Sequence, residues 1–382
     1  MTEQADSLVV RSKNMSYLPG VDHLRGLAAV LMVVYHGVQQ ISDRVFPSVD
    51  DPFSALVVEG HTAVALFMVL SGFILTYGVS DRQVRYGGFM KNRVLRVVPM
   101  YVVIVVVGLY TFPQEYTQGG LLQYFTLHAT PPLPMSTFGP WSAVLWTISV
   151  EFSLYLLFPF LLRFLQRDGV RYLLGLLLLT NALRLLSAAS NRSGIRDLSY
   201  WTVVGRIDQF VLGMLAAWVI KHGMVRLAGR AAAAVAACGF LAVCLALWWF
   251  NANGSFYGNG LWKAQWPLVE GALWAAVVLG YVLATRGWHS RLSRWLTLPG
   301  VVSYSAYLVH FVIVSVVADR MWQVFDGSVV NAAFLTLVVV LPGTFALSAL
   351  SYLVVERPFM QMRVRYVPAD DTGTEDRPAT PA

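Results

Sequence analysis

The sequence predicts an all-α fold, a polytopic membrane helix bundle of about ten transmembrane helices with both termini in the cytoplasm. Of the 382 residues, 57% are hydrophobic and only 13% are charged, and the mean hydropathy is +0.58. This composition is too apolar for a soluble domain of that length. Ten apolar stretches approach the roughly 17 to 25 residues that span a bilayer of about 30 Å. Basic residues also alternate between the two sides of these stretches.

The ten stretches follow one another from the start of the chain to near its end. They are residues 22–40, 60–79, 97–112, 143–162, 170–188, 203–220, 231–250, 266–285, 299–317 and 331–355. We therefore expect residues 1–20 to form a cytoplasmic N-terminal segment and residues 21–360 to form one membrane domain. Residues 361–382 end in a part rich in Pro, Thr and acids, and we expect them to be a disordered cytoplasmic tail.

The distribution of basic residues tests this count and gives the orientation. With the N-terminus inside, the inner segments hold 20 Lys and Arg and the outer segments hold 6, while Arg25 and Arg206 lie within stretches. Cytoplasmic segments carry such an excess in membrane proteins. The net charge of +7 is thus a topology signal and gives no reason to expect nucleic acid. Cys238 and Cys244 share one apolar stretch and indicate neither a disulfide framework nor a metal site.

The first stretch carries two ionisable side chains inside an apolar run, "VDHLRGLAAVLMVVYHGVQQ" at residues 21–40. Arg25 and His36 are eleven residues apart, which on a helix puts them on one face and about 16 Å apart. Ionisable groups at such depth are expected to face the bundle interior or a wet cavity. The alternatives are a hydrogen bond to another helix for His36 and snorkelling to the headgroups for Arg25.

The segment before the third stretch is strongly basic, "DRQVRYGGFMKNRVLRVVP" at residues 81–99. Arg93 and Arg96 stand one turn apart at the expected helix start, close in depth to Arg25. The positive-inside rule accounts for most of these charges. Guanidinium forks also suit phosphate oxygens, so a clamp for a cytosolic nucleotide-bearing donor such as coenzyme A is the functional alternative.

The fourth stretch brings an acid to the depth of His36. Glu151 lies about 15 Å into the helix, and Thr147, Glu151 and Tyr155 share one face by their spacing of four. A carboxylate that accepts one imidazole N–H raises the basicity of the other nitrogen, as a general base for an alcohol requires. A structural His–Glu pair joining two helices would have the same spacing, so both interpretations stay open.

Polar residues also occur at the expected outer ends of the fifth and sixth stretches. These are Arg184, Arg206 and Asp208. Snorkelling to the interface is one explanation. The other is a polar mouth on the acceptor side, where Asp208 would accept a hydrogen bond from a sugar hydroxyl.

Seven short stretches occur in a defined order between about residues 20 and 360. They are "LRGLAAVLMVVYH" (24–36), "FMVLSGFILT" (67–76), "RVLRVVPMY" (93–101), "WTISVEFSLYLLFP" (146–159), "GRIDQFVLGM" (205–214), "SYSAYLVH" (303–310) and "ERPF" (356–359). In this order they resemble the acyltransferase 3 family. Its members are integral membrane enzymes that move acyl groups from acyl-CoA onto hydroxyls of sugars, glycopolymers, lipids or natural products.

The resemblance implies roles for individual positions of this sequence. The matching residues are the first-helix pair Arg25 and His36, the third-helix pair Arg93 and Arg96, the acidic Glu151, and the late-motif residues Tyr304 and His310. The proline that often follows the late histidine is absent, because Phe311 follows here. A substrate-contacting role and a helix-packing role both remain open for His310.

We therefore expect an O-acyltransferase whose donor substrate is acyl-CoA, with acetyl as the default acyl group, and no permanently bound cofactor or metal. Arg25, Arg93 and Arg96 would bind the donor, and His36, oriented by Glu151, would be the general base. The expected substrate-binding residues are Tyr155, Arg206, Asp208, Tyr304 and His310. The acceptor would be a sugar, glycolipid, polysaccharide or small molecule, and the expected location is the cell (inner) membrane of a bacterium.

Two alternatives remain at this point. A transient acyl-histidine on His36 would replace general-base catalysis. A multi-pass exporter of a polysaccharide precursor or small molecule would also place polar residues at mid-depth. A glycosyltransferase would be expected to have large, acidic outer loops, which this chain lacks.

Overall fold

A computed structural model describes residues 10, 12–42, 49–111, 113–115, 127, 144–288, 290–320 and 322–368. Its helices, in chain order, are α1 (Pro19–Ile41), α2 (Pro52–Val58), α3 (Ala63–Val79), α4 (Tyr86–Thr111), α5 (Leu145–Asp168), α6 (Val170–Ser190), α7 (Ile195–Trp201), α8 (Val203–Lys221), α9 (Gly229–Ala252), α10 (Trp266–Ala284), α11 (Arg291–Val301), α12 (Ser303–Asp319) and α13 (Ser328–Gln361). The described part contains no β-strand. The predicted all-α bundle is confirmed.

Each of the ten predicted stretches coincides with a helix. Among the described residues, eight helices are long and apolar enough to cross a membrane, and the pair α11 and α12, bent by 58°, gives a ninth if the two form one broken span. The remaining predicted stretch, α1, is 23 residues long but is not apolar enough to count with these, because it carries Asp22, Arg25 and His36; the structure thus supports eight or nine of the ten predicted spans. The chain is therefore a multi-pass membrane protein, while the assignment of its termini to the cytoplasm stays a prediction.

Two helices differ from their predicted bounds. Helix α4 begins at Tyr86, eleven residues before the predicted third stretch, because its basic first turns continue the helix beyond the apolar part. Arg93 and Arg96 thus lie two turns inside α4 and not at its start. Helix α13 continues to Gln361 and contains two π-helical segments, Thr336–Val340 and Tyr352–Glu356. Such segments often occur at functional sites.

Small residues let two central helices, α3 and α8, approach closely. A Cβ atom on Gly72 of α3 would lie 1.9 Å from the carbonyl oxygen of Phe210 in α8, and one on Gly213 would lie 2.0 Å from that of Val69. Close backbone contact is a general device of helix packing in membranes. Helix α3 is therefore central, and 78% of its most apolar window is buried against 22% for α9.

The short helix α11 crosses α1 just before Arg25. A Cβ atom on Gly300 would lie 1.9 Å from the carbonyl oxygen of Asp22, and one on Gly26 would lie 3.1 Å from the Gly300 backbone nitrogen. This crossing leaves no room for side chains at either glycine and holds the first turns of α1 against the bundle. The position of Arg25 is thereby determined by backbone packing.

Residues 362–368 follow α13 and remain in contact with the bundle. The side chain of Asn92 in α4 exchanges two hydrogen bonds with the backbone of Val364, of 2.8 and 2.9 Å. The sequence analysis included these residues in the disordered tail, whose remainder, residues 369–382, lies outside the described residues. Residues 1–9 of the predicted N-terminal segment also lie outside them.

Candidate active site

A cavity of about 220 Å³ opens at the end of the bundle that the charge pattern assigns to the cytoplasm. Four arginines line it: Arg25 of α1, Arg93 and Arg96 of α4, and Arg363 after α13. Its walls also include Ser71, Glu151, Tyr155 and Tyr304, and its deep end reaches Thr147 and Tyr307. The three predicted donor-binding arginines are thus brought together around one space.

The arginines of α4 are held mainly by aromatic faces. The guanidinium of Arg93 lies 5.5 Å from the ring centres of Phe89 and Tyr155, and that of Arg96 lies 5.9 Å from the ring of Tyr304. Such cation–π contacts hold a cation without neutralising it. The Nη1 atom of Arg96 also contacts the Met360 sulfur at 3.4 Å. Both guanidiniums keep hydrogen-bonding capacity for a ligand in the cavity.

Glu151 lies on the wall of this cavity and accepts two hydrogen bonds. The Ser71 hydroxyl donates to it at 2.6 Å, and the Tyr155 hydroxyl donates to the same carboxylate oxygen. The predicted substrate-binding residue Tyr155 therefore has its hydroxyl engaged by Glu151 and its ring face against Arg93. Tyr304 also lines the cavity, but its hydroxyl donates to the backbone oxygen of Val97 at 2.7 Å.

His36 does not pair with Glu151, contrary to the predicted orientation. Its Nδ1 atom lies 3.0 Å from Nε2 of His310 on α12, and among the described residues no hydrogen bond joins it to Glu151. Similar depth in two helices was the basis of the prediction, but depth does not determine which neighbour a side chain faces. The packing of α12 against α1 brings His310 to His36 instead.

The hydrogen bonds of the histidine pair indicate its tautomers. Nδ1 of His310 lies 2.7 Å from the backbone oxygen of Tyr307 and 3.2 Å from that of Ala306, and a carbonyl only accepts, so this nitrogen carries a proton. In the neutral ring Nε2 is then an acceptor. His36 must donate to it from Nδ1, which leaves Nε2 of His36 as a basic nitrogen.

Tyr307 and Thr147 separate the cavity from the histidine pair. The Thr147 hydroxyl and the Tyr307 hydroxyl are 2.8 Å apart, and the Tyr307 ring centre lies 5.8 Å from that of His310. Both residues line the deep end of the cavity. The path from the arginines therefore ends beside the two histidines.

A second polar cluster lies at the opposite, predicted outer end of the bundle. It surrounds a cavity of about 30 Å³ whose lining includes His61, Tyr200, Arg206, Lys263 and Glu270. The ring of His61 packs 5.8 Å from that of Tyr35, the neighbour of His36 in α1. This cluster approaches the histidine pair from the other side.

Arg206 belongs to this outer cluster. Its guanidinium lies 4.3 Å from the Tyr200 ring centre and 3.7 Å from Glu270 Oε2. Nη2 of Arg206 and Nδ1 of His61 are buried and have no protein partner among the described residues. Burial lowers the pKa of Lys263 to about 8, and it does so against the attraction of Glu59. Unpaired donors and acceptors of this kind can bind hydroxyl groups.

Asp208 does not lie in this cluster. It is fully buried and accepts hydrogen bonds from Thr180 at 2.6 Å, from Asn181 at 3.2 Å and from Arg184. Positions two apart on a helix point about 200° away from each other, so Arg206 and Asp208 face different neighbours. The predicted role of Asp208 in a polar mouth is therefore not supported by its position.

Several residues of these sites were missed by the sequence analysis. Glu356 in α13 is buried and accepts a hydrogen bond from Ser305, and Arg363 lines the inner cavity. Glu270 is an acid inside the eighth apolar stretch, and that placement was a signal of a functional or structural site. For Arg363 no signal existed, because a basic residue after the last span is explained by topology alone.

A protein-family model, described as an acyltransferase domain, matches residues 18–353 of this chain. The chain belongs to the acyltransferase 3 family. This match confirms the resemblance seen in the sequence, and it favours an enzyme over an exporter. No solved structure matches it.

Curated relatives agree with this assignment. The acyltransferase MdmB of Streptomyces mycarofaciens is 23% identical, with 94% of this chain and 97% of the relative covered. A putative O-acetyltransferase of Staphylococcus aureus strain COL is 20% identical over 92% of this chain. The putative peptidoglycan O-acetyltransferase YrhL of Bacillus subtilis strain 168 is 23% identical over 91%. This chain spans 59% and 56% of the length of the last two relatives.

Proposed function

We propose that this protein is an acyl-CoA-dependent O-acyltransferase of the bacterial cell (inner) membrane that moves an acetyl group from the cytosolic side onto an acceptor hydroxyl. The observation that carries the proposal is the arginine-lined cavity, whose deep end lies beside the His36 and His310 pair. A donor with phosphates and a long acyl-bearing arm has the shape and charge that this cavity favours. The names of two relatives, an O-acetyltransferase and a peptidoglycan O-acetyltransferase, support acetyl as the group transferred.

In this proposal the arginines bind the donor and leave the thioester near the histidines. Guanidiniums form charge-assisted hydrogen bonds to phosphate oxygens, and Arg25, Arg93 and Arg96 are close to one another at the inner end. The pantetheine arm would extend past Tyr155 and Tyr304 toward Thr147 and Tyr307. This arrangement is an electrostatic and steric argument for coenzyme A.

His36 then acts as the general base and His310 orients it. The acceptor O–H proton moves to Nε2 of His36 while the oxygen attacks the thioester carbonyl. The carbon–sulfur bond breaks, and the departing thiolate takes that proton back from the imidazolium, so the products are an ester and CoA thiol. Nε2 of His310 accepts the hydrogen bond from Nδ1–H of His36 throughout and stabilises the transient positive charge. His310 thus has the orienting role that the sequence analysis gave to Glu151.

The acceptor approaches from the outer polar cluster. Arg206, His61 and Glu270 offer donors and acceptors for hydroxyl groups, and the aromatic rings of Tyr200 and Trp266 surround them. A mixture of such groups fits a polyhydroxylated acceptor better than an apolar one. We therefore propose a carbohydrate-bearing acceptor for this side.

The test is transfer of labelled acetyl groups by membranes. Membranes that contain the wild type, His36→Gln, His310→Gln or the control His222→Gln receive acetyl-CoA labelled in the acetyl group, and polymer, lipid and small-molecule fractions are separated. His222 is the matched control, because it lies at the inner end of α8 and pairs with Asp81, away from the cavity. We expect His36→Gln to lose about 100- to 10,000-fold in rate, the usual contribution of a general base.

The outcomes separate the parts of the proposal. Full transfer by a correctly folded His36→Gln would exclude the base and also the acyl-histidine variant. Loss in His36→Gln with full activity in His310→Gln would reject the orienting role alone. If the wild type transfers no label to any fraction, the donor assignment is wrong.

A further inference from the structure

Residues 362–367, here called the C-terminal strap, run back across the inner end of the bundle. Besides its two bonds to Asn92, the strap is tied to Asn14 near the N-terminus. Oδ1 of Asn14 accepts hydrogen bonds from the backbone nitrogens of Tyr366 at 2.9 Å and Val367 at 3.3 Å. Asn14 and Asn92 are both buried. Two amide side chains thus pair with the strap much as a neighbouring strand would.

Packing on α4 supports these hydrogen bonds. The Tyr366 ring lies edge-on to Phe89 with 5.5 Å between ring centres, and its backbone oxygen accepts from the Arg85 nitrogen at 3.0 Å. A Cβ atom on Gly88 would lie 3.0 Å from Cβ of Tyr366, so the glycine makes room for the strap. These contacts hold the strap in one defined position on α4.

The strap carries Arg363 into the wall of the inner cavity. Its backbone oxygen accepts a hydrogen bond from Lys13 Nζ at 2.9 Å, but its Nε and Nη2 atoms are buried and have no partner among the described residues. Burial, together with repulsion from Arg96 and Arg93, lowers the pKa of Arg363 to about 9. Arg363 is half-buried, and two buried nitrogens without an acceptor are costly, so this position favours an anionic ligand.

Among the described residues the nearby carboxylates make no hydrogen bond to Arg93 or Arg363, although Oε2 of Glu356 is itself without a partner. Asp22 pairs with Arg25 at 3.4 Å, Glu151 accepts from Ser71 and Tyr155, and Glu356 accepts from Ser305. Nε of Arg93 is also buried without a partner. The free donors of Arg93 and Arg363 therefore border the same cavity, and their complement is an anion with several oxygens, as in a phosphate group.

We infer that Arg363 binds a phosphate of the acyl donor and that the C-terminal strap holds this arginine at the cytoplasmic mouth of the donor cavity. The inference rests on the proposed function. It adds a binding residue from outside the matched acyltransferase domain, which ends at residue 353. A phosphate of a lipid headgroup has the same chemistry, so the experiment must separate the two sources.

The test compares two arginines of the strap. Arg365 lies two residues beyond Arg363 and is exposed, so Arg365→Gln is the matched control. Purified full-length protein in a phosphate-free detergent is titrated with acetyl-CoA. We expect Arg363→Gln to weaken binding about 10- to 100-fold, the range for hydrogen bonds to a charged group. Arg363→Lys should be intermediate because it keeps the charge but loses the fork, and Arg365→Gln should match the wild type.

A second variant tests the strap itself. Asn92→Ala removes both hydrogen bonds to Val364 but leaves the cavity lining unchanged. If the strap positions Arg363, the KM for acetyl-CoA rises while kcat at saturating donor stays near the wild-type value. A merely structural role would lower kcat and the thermal transition together without a selective change in KM.

Three results would overturn the inference. Equal acetyl-CoA affinity in Arg363→Gln and Arg365→Gln would remove Arg363 from the donor site while the proposed function stands. Weaker binding of added phosphatidylglycerol but unchanged binding of acetyl-CoA in Arg363→Gln would assign the phosphate to a lipid. If the wild type itself bound no acetyl-CoA, the donor of the proposed function, and the inference with it, would fail.

Discussion

Two sets of arginines in this protein differ in burial and in how they are paired, since those of the inner cavity are only half-buried. Arg184 is fully buried, and its guanidinium donates to the backbone oxygens of Ala264 and Val204, to Asn181 and to Asp208. The arginines of the inner cavity have few protein acceptors, and Nε of Arg93 and two nitrogens of Arg363 have none among the described residues. The fully buried arginine is thus the one that the protein pairs completely, and the half-buried arginines keep nitrogens without a protein partner.

The difference lies in where the compensating groups come from. Around Arg184 the protein supplies every acceptor, including the carboxylate of Asp208, so nothing is left for a ligand. In the inner cavity it supplies aromatic faces and leaves some guanidinium nitrogens of the lining arginines without a protein acceptor. Charged groups that the protein leaves without a partner are candidates for ligand binding, because such perturbed sites are frequently functional.

The largest effect on stability is expected when the buried pair of Arg184 and Asp208 is broken. Asp208→Ala would leave Arg184 buried without its anion, which typically costs about 3–5 kcal/mol. We expect a large fall in the thermal unfolding temperature of the purified protein and in the amount of folded protein in membranes. Intrinsic tryptophan fluorescence against temperature in detergent measures it.

Asp208→Asn serves as the control for this change. It removes the charge but keeps an acceptor for Thr180 or Arg184, so its loss should be smaller. If Asp208→Ala unfolded like the wild type but bound the acceptor poorly, Asp208 would belong to the acceptor mouth that the sequence predicts. The Arg184 and Asp208 pair would then not be a purely structural one.

A moderate effect on binding, with little effect on stability, is expected in the inner cavity. Arg93→Gln removes a guanidinium that has no acceptor on Nε and lies against Phe89 and Tyr155. The loss of stability should stay within about 1 kcal/mol, the usual value of a cation–π contact, while the affinity for acetyl-CoA falls about tenfold or more.

Isothermal titration and the unfolding temperature, measured on the same preparation, check both parts of this expectation. An unchanged affinity would show that Arg93 does not contact the donor. A fall in stability comparable to that of Asp208→Ala would mean that Arg93 is structural after all.

The smallest effect is expected at an exposed pair. Arg167 and Asp168 are joined by three hydrogen bonds of 2.9 to 3.1 Å at the end of α5, but both are exposed. Asp168→Asn should leave the unfolding temperature and the transfer rate unchanged, because solvent screens exposed pairs. A clear fall in unfolding temperature for Asp168→Asn would mean that the number of hydrogen bonds, and not burial, decides how much an arginine pair contributes to stability.

Much of the fold could be predicted from the sequence. The apolar stretches predict the ten helices because a bilayer demands about 20 apolar residues per span whatever the neighbours are. The spacing of Arg25 and His36 and the basic run before the third stretch also predict that Arg25, Arg93 and Arg96 lie at one end. These are local or periodic properties, and they do not depend on which helices touch.

The pairing of side chains across helices depended on tertiary structure. Depth along two helices made Glu151 a candidate partner for His36, but the rotation of each helix decides the contact. Helix α12 presents His310 to His36, and Glu151 faces Ser71 and Tyr155 instead. The same limit applies to Arg206 and Asp208, which are close in sequence but face different neighbours.

The sequence by itself therefore determined the class of fold, the spans, the charge asymmetry and the family, because each depends on composition, period or motif order. Only the tertiary structure decided that His36 pairs with His310, that Asp208 is neutralised by Arg184, and that Arg363 reaches the inner cavity. The reason is geometric, since a helix presents different residues to each neighbour and close glycine contacts select which neighbours meet. The Asn14 and Asn92 contacts with the strap join residues more than 270 positions apart, which no local pattern encodes.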